Sequence, residues 1–191
     1  MPIDAARVAG MSFDEDTLLV QRFLGGDASA FDRIFDKYKD RVYVVAQGIL
    51  LNPDEAQDAV QDAFALIYRN LPRFRRQSSL STWIFRVAVN TAIQHARKLK
   101  HRKRQLPLSA ASDQEAPILD GGADAAHVHQ ALSQLRPDDR AVLTLFYWED
   151  LSLAQMAEAL GCSANAVKTR VYRARERFRE AYTGLGGSED G

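Results

Sequence analysis

The chain has 191 residues, 46% hydrophobic and 26% charged, which suits one medium packed domain or two small ones. No apolar run approaches the ~20 residues of a membrane span, residues 1–10 lack a signal peptide's apolar core, and the lone Cys162 excludes an intrachain disulfide and a cysteine-rich zinc site. Basic and acidic residues balance at 25 each, but they oppose in blocks: 7 against 12 in 1–70, 10 against none in 71–104, 2 against 9 in 105–162, and 6 against 4 in 163–191.

Helical signals recur along the chain, and sustained period-2 alternation is missing. Ser12-Phe13-Asp14-Glu15 predicts a capping box opening the first helix, which carries Leu18, Leu19 and Phe23 and stops at Gly25-Gly26. Asp27 caps a second helix with the stripe Phe31, Ile34, Phe35, Tyr38, Val42, Val45 and Ile49. Asn52-Pro53-Asp54-Glu55 starts a third, with Asn as cap, Pro in the first turn and acids against the dipole. It buries Ala59, Val60, Ala63, Phe64 and Ile67 and ends near Leu71, before Pro72. A basic loop, Pro72 to Ser79, leads to a fourth helix from about Leu80 into Arg97-Lys98.

Gln105 to Ala123 has prolines, glycines and no periodicity, and is expected to be a flexible linker. Beyond it, Val128, Ala131, Leu132 and Leu135 mark one helix, and a second opens at Pro137. The capping box Ser152-Leu153-Ala154-Gln155 opens a third, ended by Gly161, and Ser163 opens a fourth that runs to about Tyr182. The Gly-rich tail from Gly184 is expected to be disordered. The last two helices, joined at Gly161-Cys162-Ser163, have the pattern of a helix-turn-helix, whose second helix enters the DNA major groove. At 100° per residue, Val167, Val171, Ala174 and Phe178 share one side, and Asn165, Thr169, Tyr172, Arg173 and Glu176 the opposite one. Lys168 and Arg175 lie on one flank, Arg170 and Arg177 on the other. An apolar back, a hydrogen-bonding front and basic flanks suit a helix between two phosphate walls; a solvated basic face is the bland alternative.

The block 71–104 mixes Phe74 with Arg73, Arg75 and Arg76, then carries Trp83, Phe85 and Asn90, and ends in the cluster from Arg97 to Arg104. Cations track phosphates, and aromatics and amides can engage unpaired bases; Trp83 and Phe85 fit a core equally well. On the third helix, Asp54, Asp58, Gln61, Asp62 and Ala65 share a face that could dock a basic protein surface. First-turn acids at a helix start explain Asp54 and Glu55 as well.

Three motifs then resemble one family, the extracytoplasmic-function (ECF) sigma factors of the sigma-70 family. Residues 54–64, DEAQDAVQDAF, resemble the family's core-polymerase-binding helix. Residues 81–90, STWIFRVAVN, resemble its −10 promoter helix, and 166–175, AVKTRVYRAR, its −35 recognition helix. The similarity covers about 14–104 and 126–182. It implies an all-α fold of two small helical domains joined by a flexible linker, the C-terminal one with the helix-turn-helix: 12–104, linker 105–125, and 126–183. It implies that Asp54, Asp58, Gln61, Asp62 and Phe64 bind the clamp helices of the polymerase largest subunit. Phe74, Arg75, Arg76, Ser79, Trp83, Asn90 and Arg97 would take the melted −10 element, with Phe74 and Asn90 at the flipped-base pocket. Ser163, Asn165, Lys168, Thr169, Arg170, Tyr172, Arg173 and Arg175 would read the −35 element. The expected partners are core RNA polymerase, promoter DNA and an anti-sigma factor, in the cytoplasm and without membrane insertion. The family loop usually has Gly and an acid after Phe-Arg. Here Arg76-Gln77 stand there, which leaves the loop's backbone shape and its −10 base preference open and makes it more basic.

A stand-alone helix-turn-helix regulator is the alternative; it leaves the 71–104 block and the Asp58/Asp62 face unexplained. No nucleophile–base arrangement, phosphate-binding glycine loop or metal spacing involving the four histidines stands out, so neither catalytic residues nor a cofactor nor a metal is expected.

Overall fold

The computed structural model describes residues 5–105, 122–149 and 151–186. Their regular structure is helical: α1 (Ala5–Leu24), α2 (Ser29–Leu50), α3 (Pro53–Asn70), a 3₁₀ turn (Leu71–Arg73), α4 (Leu80–Gln105), α5 (Gly122–Gln134), α6 (Pro137–Trp148), α7 (Leu153–Leu160) and α8 (Ala164–Gly184). The expected linker is therefore helical at both ends; its residues 106–121 lie outside the described residues, as does the tail at 187–191.

Helix starts obey local chemistry. The Asn52 side chain accepts the Glu55 N–H at 2.9 Å, with Pro53 in the first turn. Ser152 and Gln155 complete the reciprocal capping box of α7. Asp27, expected to cap α2, accepts the Ser29 N–H at 3.1 Å from two residues before the helix start, and Ala28 occupies the cap position itself. The expected box at Ser12 is a correction: α1 begins at Ala5, so Ser12 lies inside the helix. The alanine-rich segment before it sustains helix, and the box pattern there marks no start. Glu15 instead accepts from Lys37 on α2 at 2.8 Å. Lys37 also reaches Asp16, and the buried Tyr38 hydroxyl donates to Asp16 at 2.5 Å. Burial alone would depress the Lys37 ammonium, but its bonds to Asp16 and Glu15 outweigh that and hold it above its ordinary value.

The core follows the helical period. On α2, Ala30, Ile34, Tyr38, Val42, Val45 and Ile49 are buried along one stripe. On α3, Ala56, Ala59 and Ala63 are small enough for close approach to α2 and α4, while Phe64 and Ile67 fill the gaps. Helix α4 is buried around much of its girth, because α2 and α3 pack on it from one half of the chain and α6 and α7 from the other. Ala141, Val142, Leu145, Met156, Ala157, Ala159, Val167 and Val171 thus join the apolar core of α1–α4. A second, smaller cluster of Leu135, Leu143 and Ala174, backed by Leu132, Phe178 and Ala181, holds α5, α6 and α8 together.

Candidate nucleic-acid interface

The helix-turn-helix assembles as its residues predict. Gly161 ends α7 at φ 63°, a left-handed conformation that a Cβ would strain. Ser163 caps α8, accepting the Ala166 N–H at 3.2 Å. Val167, Val171 and Ala174 are buried, which aims the opposite side outward: Asn165, Lys168, Thr169, Arg170, Tyr172, Arg173 and Arg175 are all exposed, as is Ser163. Tyr172 is 66% exposed, a large ring in solvent at the centre of the reading face. Two side chains leave the expected pattern. Arg177 is held by Asp139 at 2.7 and 2.8 Å, so this flank cation is spent on joining α8 to the first turn of α6. Glu176 pairs with Arg179 along the same helix.

A cleft of about 700 Å³ opens between the loop after α3, the first two turns of α4 and the end of α7. Phe74, Arg75 and Trp83 line it, with the Phe74 and Trp83 rings 5.1 Å apart. Arg73, part of the basic loop but outside the expected −10 set, lines it too, as does Arg86, which was not singled out from sequence; Arg86 lies three residues from Trp83 on a helix, and that spacing was the available signal. Asn90 and Arg97 line a separate cavity of about 140 Å³, so the expected −10 set is divided between two hollows. Ser79 acts as a helix cap, accepting the Thr82 N–H at 3.2 Å. Phe85 is fully buried under the Arg41 guanidinium, 4.8 Å from its ring, and belongs to the core. Arg76 adopts φ 54°. The loop thus keeps the left-handed residue that a glycine would favour, at a cost of roughly 1 kcal/mol for a side chain there.

The acidic face also forms: Asp54, Asp58, Gln61 and Asp62 are exposed on α3. Phe64 does not join it. Only 5% exposed, it packs edge-on against Phe31 and Phe35, because its position falls on the buried side of the helix. His95 on α4 sits 2.8 Å from the Asp62 carboxylate and 3.9 Å from Glu55, which also has Arg102 at 3.8 Å. Among the described residues no helix is long and apolar enough to cross a membrane.

Two family models match stretches of the chain. The family model for Sigma-70 region 2 matches residues 34–102, and that for Sigma-70, region 4 matches 126–178. The RNA polymerase sigma-H factor of Pseudomonas aeruginosa is 34% identical over 184 residues, covering 88% of this chain and 94% of its own. The ECF RNA polymerase sigma factor SigW of Bacillus subtilis is 32% identical, covering 81% and 90%. Two solved structures share the fold. CnrH, solved in complex with the cytosolic domain of CnrY, superposes at TM-score 0.64 with 20% identity over 89% of this chain and 98% of that one. The sigma factor RpoE, solved with the anti-sigma factor NepR from Bartonella quintana, superposes at 0.63 with 24% identity, covering 80% and 96%.

Proposed function

The chain belongs to the ECF sigma-70 family of promoter-recognition and transcription-initiation factors, and from that premise we propose how its surfaces divide the work. The half around residues 12–104 takes the melted −10 element, and the half around 126–183 reads the −35 element as duplex. The carrying observation is the exposed hydrogen-bonding face of α8, flanked by Lys168, Arg170 and Arg175 over a buried apolar back. Its cations meet phosphates, and Asn165, Thr169, Tyr172 and Arg173 meet base edges or backbone in the groove. In the cleft of α4, Phe74 and Trp83 stack on an unpaired base while Arg73, Arg75 and Arg86 hold its phosphates. A few kcal/mol of unpairing are offset in this way.

The exposed Asp58, Gln61 and Asp62 dock the polymerase through charge complementarity with a basic surface. The chemistry of RNA synthesis belongs to the polymerase, and the chain works in the cytoplasm. An anti-sigma factor is a further partner, as NepR is for the RpoE it was solved with.

The decisive experiment is in vitro transcription with core polymerase on a randomised promoter library, from which the chain should select one −35/−10 pair. Asp58→Arg with Asp62→Arg should abolish co-elution with core without unfolding the chain. Arg173→Ala should reduce −35 discrimination and spare core binding. Tight promoter binding and melting by the isolated chain, indifferent to polymerase, would favour a stand-alone helix-turn-helix regulator instead.

A further inference from the structure

The acidic face of α3 is braced from α4. His95, its side chain only 12% exposed, brings Nε2 to 2.8 Å from the Asp62 Oδ2. A carboxylate only accepts, so Nε2 carries a hydrogen and donates. The other ring nitrogen, Nδ1, sits 3.9 Å from the Glu55 carboxylate, beyond hydrogen-bond reach but within range of its charge. Glu55 and Asp62 lie two turns apart on α3, and α3 packs along α4, so one ring meets both. Asp62 itself stays 62% exposed. Its carboxylate is fixed from the α4 side and open to a partner on the other.

The charges around this ring are few. On α3, Asp58 is exposed between Glu55 and Asp62. On α4, Arg102 approaches Glu55 at 3.8 Å, and Lys98 is exposed one turn from His95. The charged groups on the other helices packed against α4 are engaged elsewhere. Asp138 of α6 faces Arg97 at 3.8 Å, Arg41 of α2 holds Glu149, and Asp16 of α1 takes Lys37 and Tyr38. Glu158 of α7 lines the cleft beside Trp83, roughly 18 Å back along α4. His95 thus answers chiefly to Asp62 and Glu55.

We propose that His95 is a positioning residue of the polymerase-docking face and links docking to a proton. Neutral, the ring holds Asp62 in place and leaves the carboxylate's charge to a basic partner. Protonated, it is a cation on the same carboxylate and competes with the partner's Lys or Arg. A docked cation therefore disfavours the protonated ring, so the complex holds fewer protons than the free chain. By linkage, affinity rises with pH through the range in which an imidazole ordinarily titrates, about 6.5. This rests on the assignment of Asp58, Gln61 and Asp62 to polymerase docking above.

The test is the dissociation constant of the full chain for core polymerase at pH 6.0 and 7.8, at constant ionic strength. Titrations of the polymerase are common to every variant and cancel when the pH ratios are compared. His95→Gln keeps a donor for Asp62 and cannot be charged. It should match wild type within about twofold at pH 7.8, and its weakening at pH 6.0 should be roughly threefold smaller than that of wild type. His95→Ala also removes the donor and should bind roughly threefold more weakly at pH 7.8. Asp62→Asn, a change on an exposed side chain that leaves the fold intact, should flatten the pH profile as His95→Gln does. Calorimetry at pH 6.5 in buffers of different ionisation enthalpy should find more protons released on docking by wild type than by either variant. Equal pH ratios in wild type, His95→Gln and Asp62→Asn would overturn the proposal. If Asp58→Arg with Asp62→Arg leaves core binding unchanged, the docking assignment fails and the role of His95 with it. If that variant loses binding while the His95 variants follow wild type at both pH values, only the role of His95 fails.

Discussion

Helices α4 and α8 are both basic and both assigned to DNA, yet they are built in opposite ways. Helix α8 buries a narrow stripe, Val167, Val171 and Ala174, and leaves the rest of its circumference open. Helix α4 buries Leu80, Thr82, Ile84, Phe85, Ala88, Val89, Thr91, Ala92, Ile93 and Ala96. Only a strip including Trp83, Arg86, Asn90 and Arg97 remains for nucleic acid. Reading and folding use separate residues on α8 but interleave on α4. Recognition by α8 can therefore change by surface substitution, whereas most changes in α4 are felt by the fold first.

The sharpest test of that contrast pairs two aromatics. Phe85→Ala should cost about 3–5 kcal/mol of stability, measured by urea denaturation, since it empties a fully buried site. Tyr172→Ala should stay within about 0.5 kcal/mol yet weaken binding to −35 duplex. Equal stability losses would break the comparison. Next come the caps: Ser163→Ala and Ser79→Ala each remove a side-chain acceptor for a backbone N–H, worth about 1 kcal/mol. Ser79 should cost more, because its hydroxyl also bonds those of Ser81 and Thr82. In the loop before α4, Arg76→Gly should raise stability by roughly 0.5–1 kcal/mol by relieving the left-handed side chain; a flat denaturation midpoint would show no strain there.

The smallest effect lies on neither helix and sets a baseline. The hydrogen bond from Lys37 holds the Glu15 carboxyl below its ordinary value near 4.5. Its stabilisation is complete above that value and lost as pH falls through the lower folded one. Half-exposed and screened by water, it should amount to a few tenths of a kcal/mol. It should appear as a narrowing gap between wild type and Glu15→Gln as pH drops from 7 to 3.

Local signals were legible wherever a few neighbouring residues decide the outcome. Asn52, the Ser152–Gln155 box, Gly161 and Ser163 each act within a turn of helix, and the structure places each as expected. The wheel of α8 held because a single packed side leaves periodicity intact. It misjudged Arg177, whose partner Asp139 lies 38 residues away. For Phe64 the helical period gives burial while the family motif gives polymerase contact, and burial holds; for Phe85 the period leaves core and base contact equally open, and the core has it. Ser12 shows the converse, a valid local pattern overridden by a helix already under way.

The sequence by itself determined the helices, the helix-turn-helix, the two basic blocks and the acidic face, because spacing of 3.6 residues and short-range hydrogen bonds are written in neighbouring positions. Only the tertiary structure decided that α6 and α7 close over α2 and α4. That closure depends on Gly48 meeting Thr144, Arg140 reaching Ile49 O and Glu149 meeting Arg41. The two hydrogen-bonded pairs lie 91 and 108 residues apart. Side chains so distant in the chain find each other through the shape and charge of whole helix faces, which no local window contains.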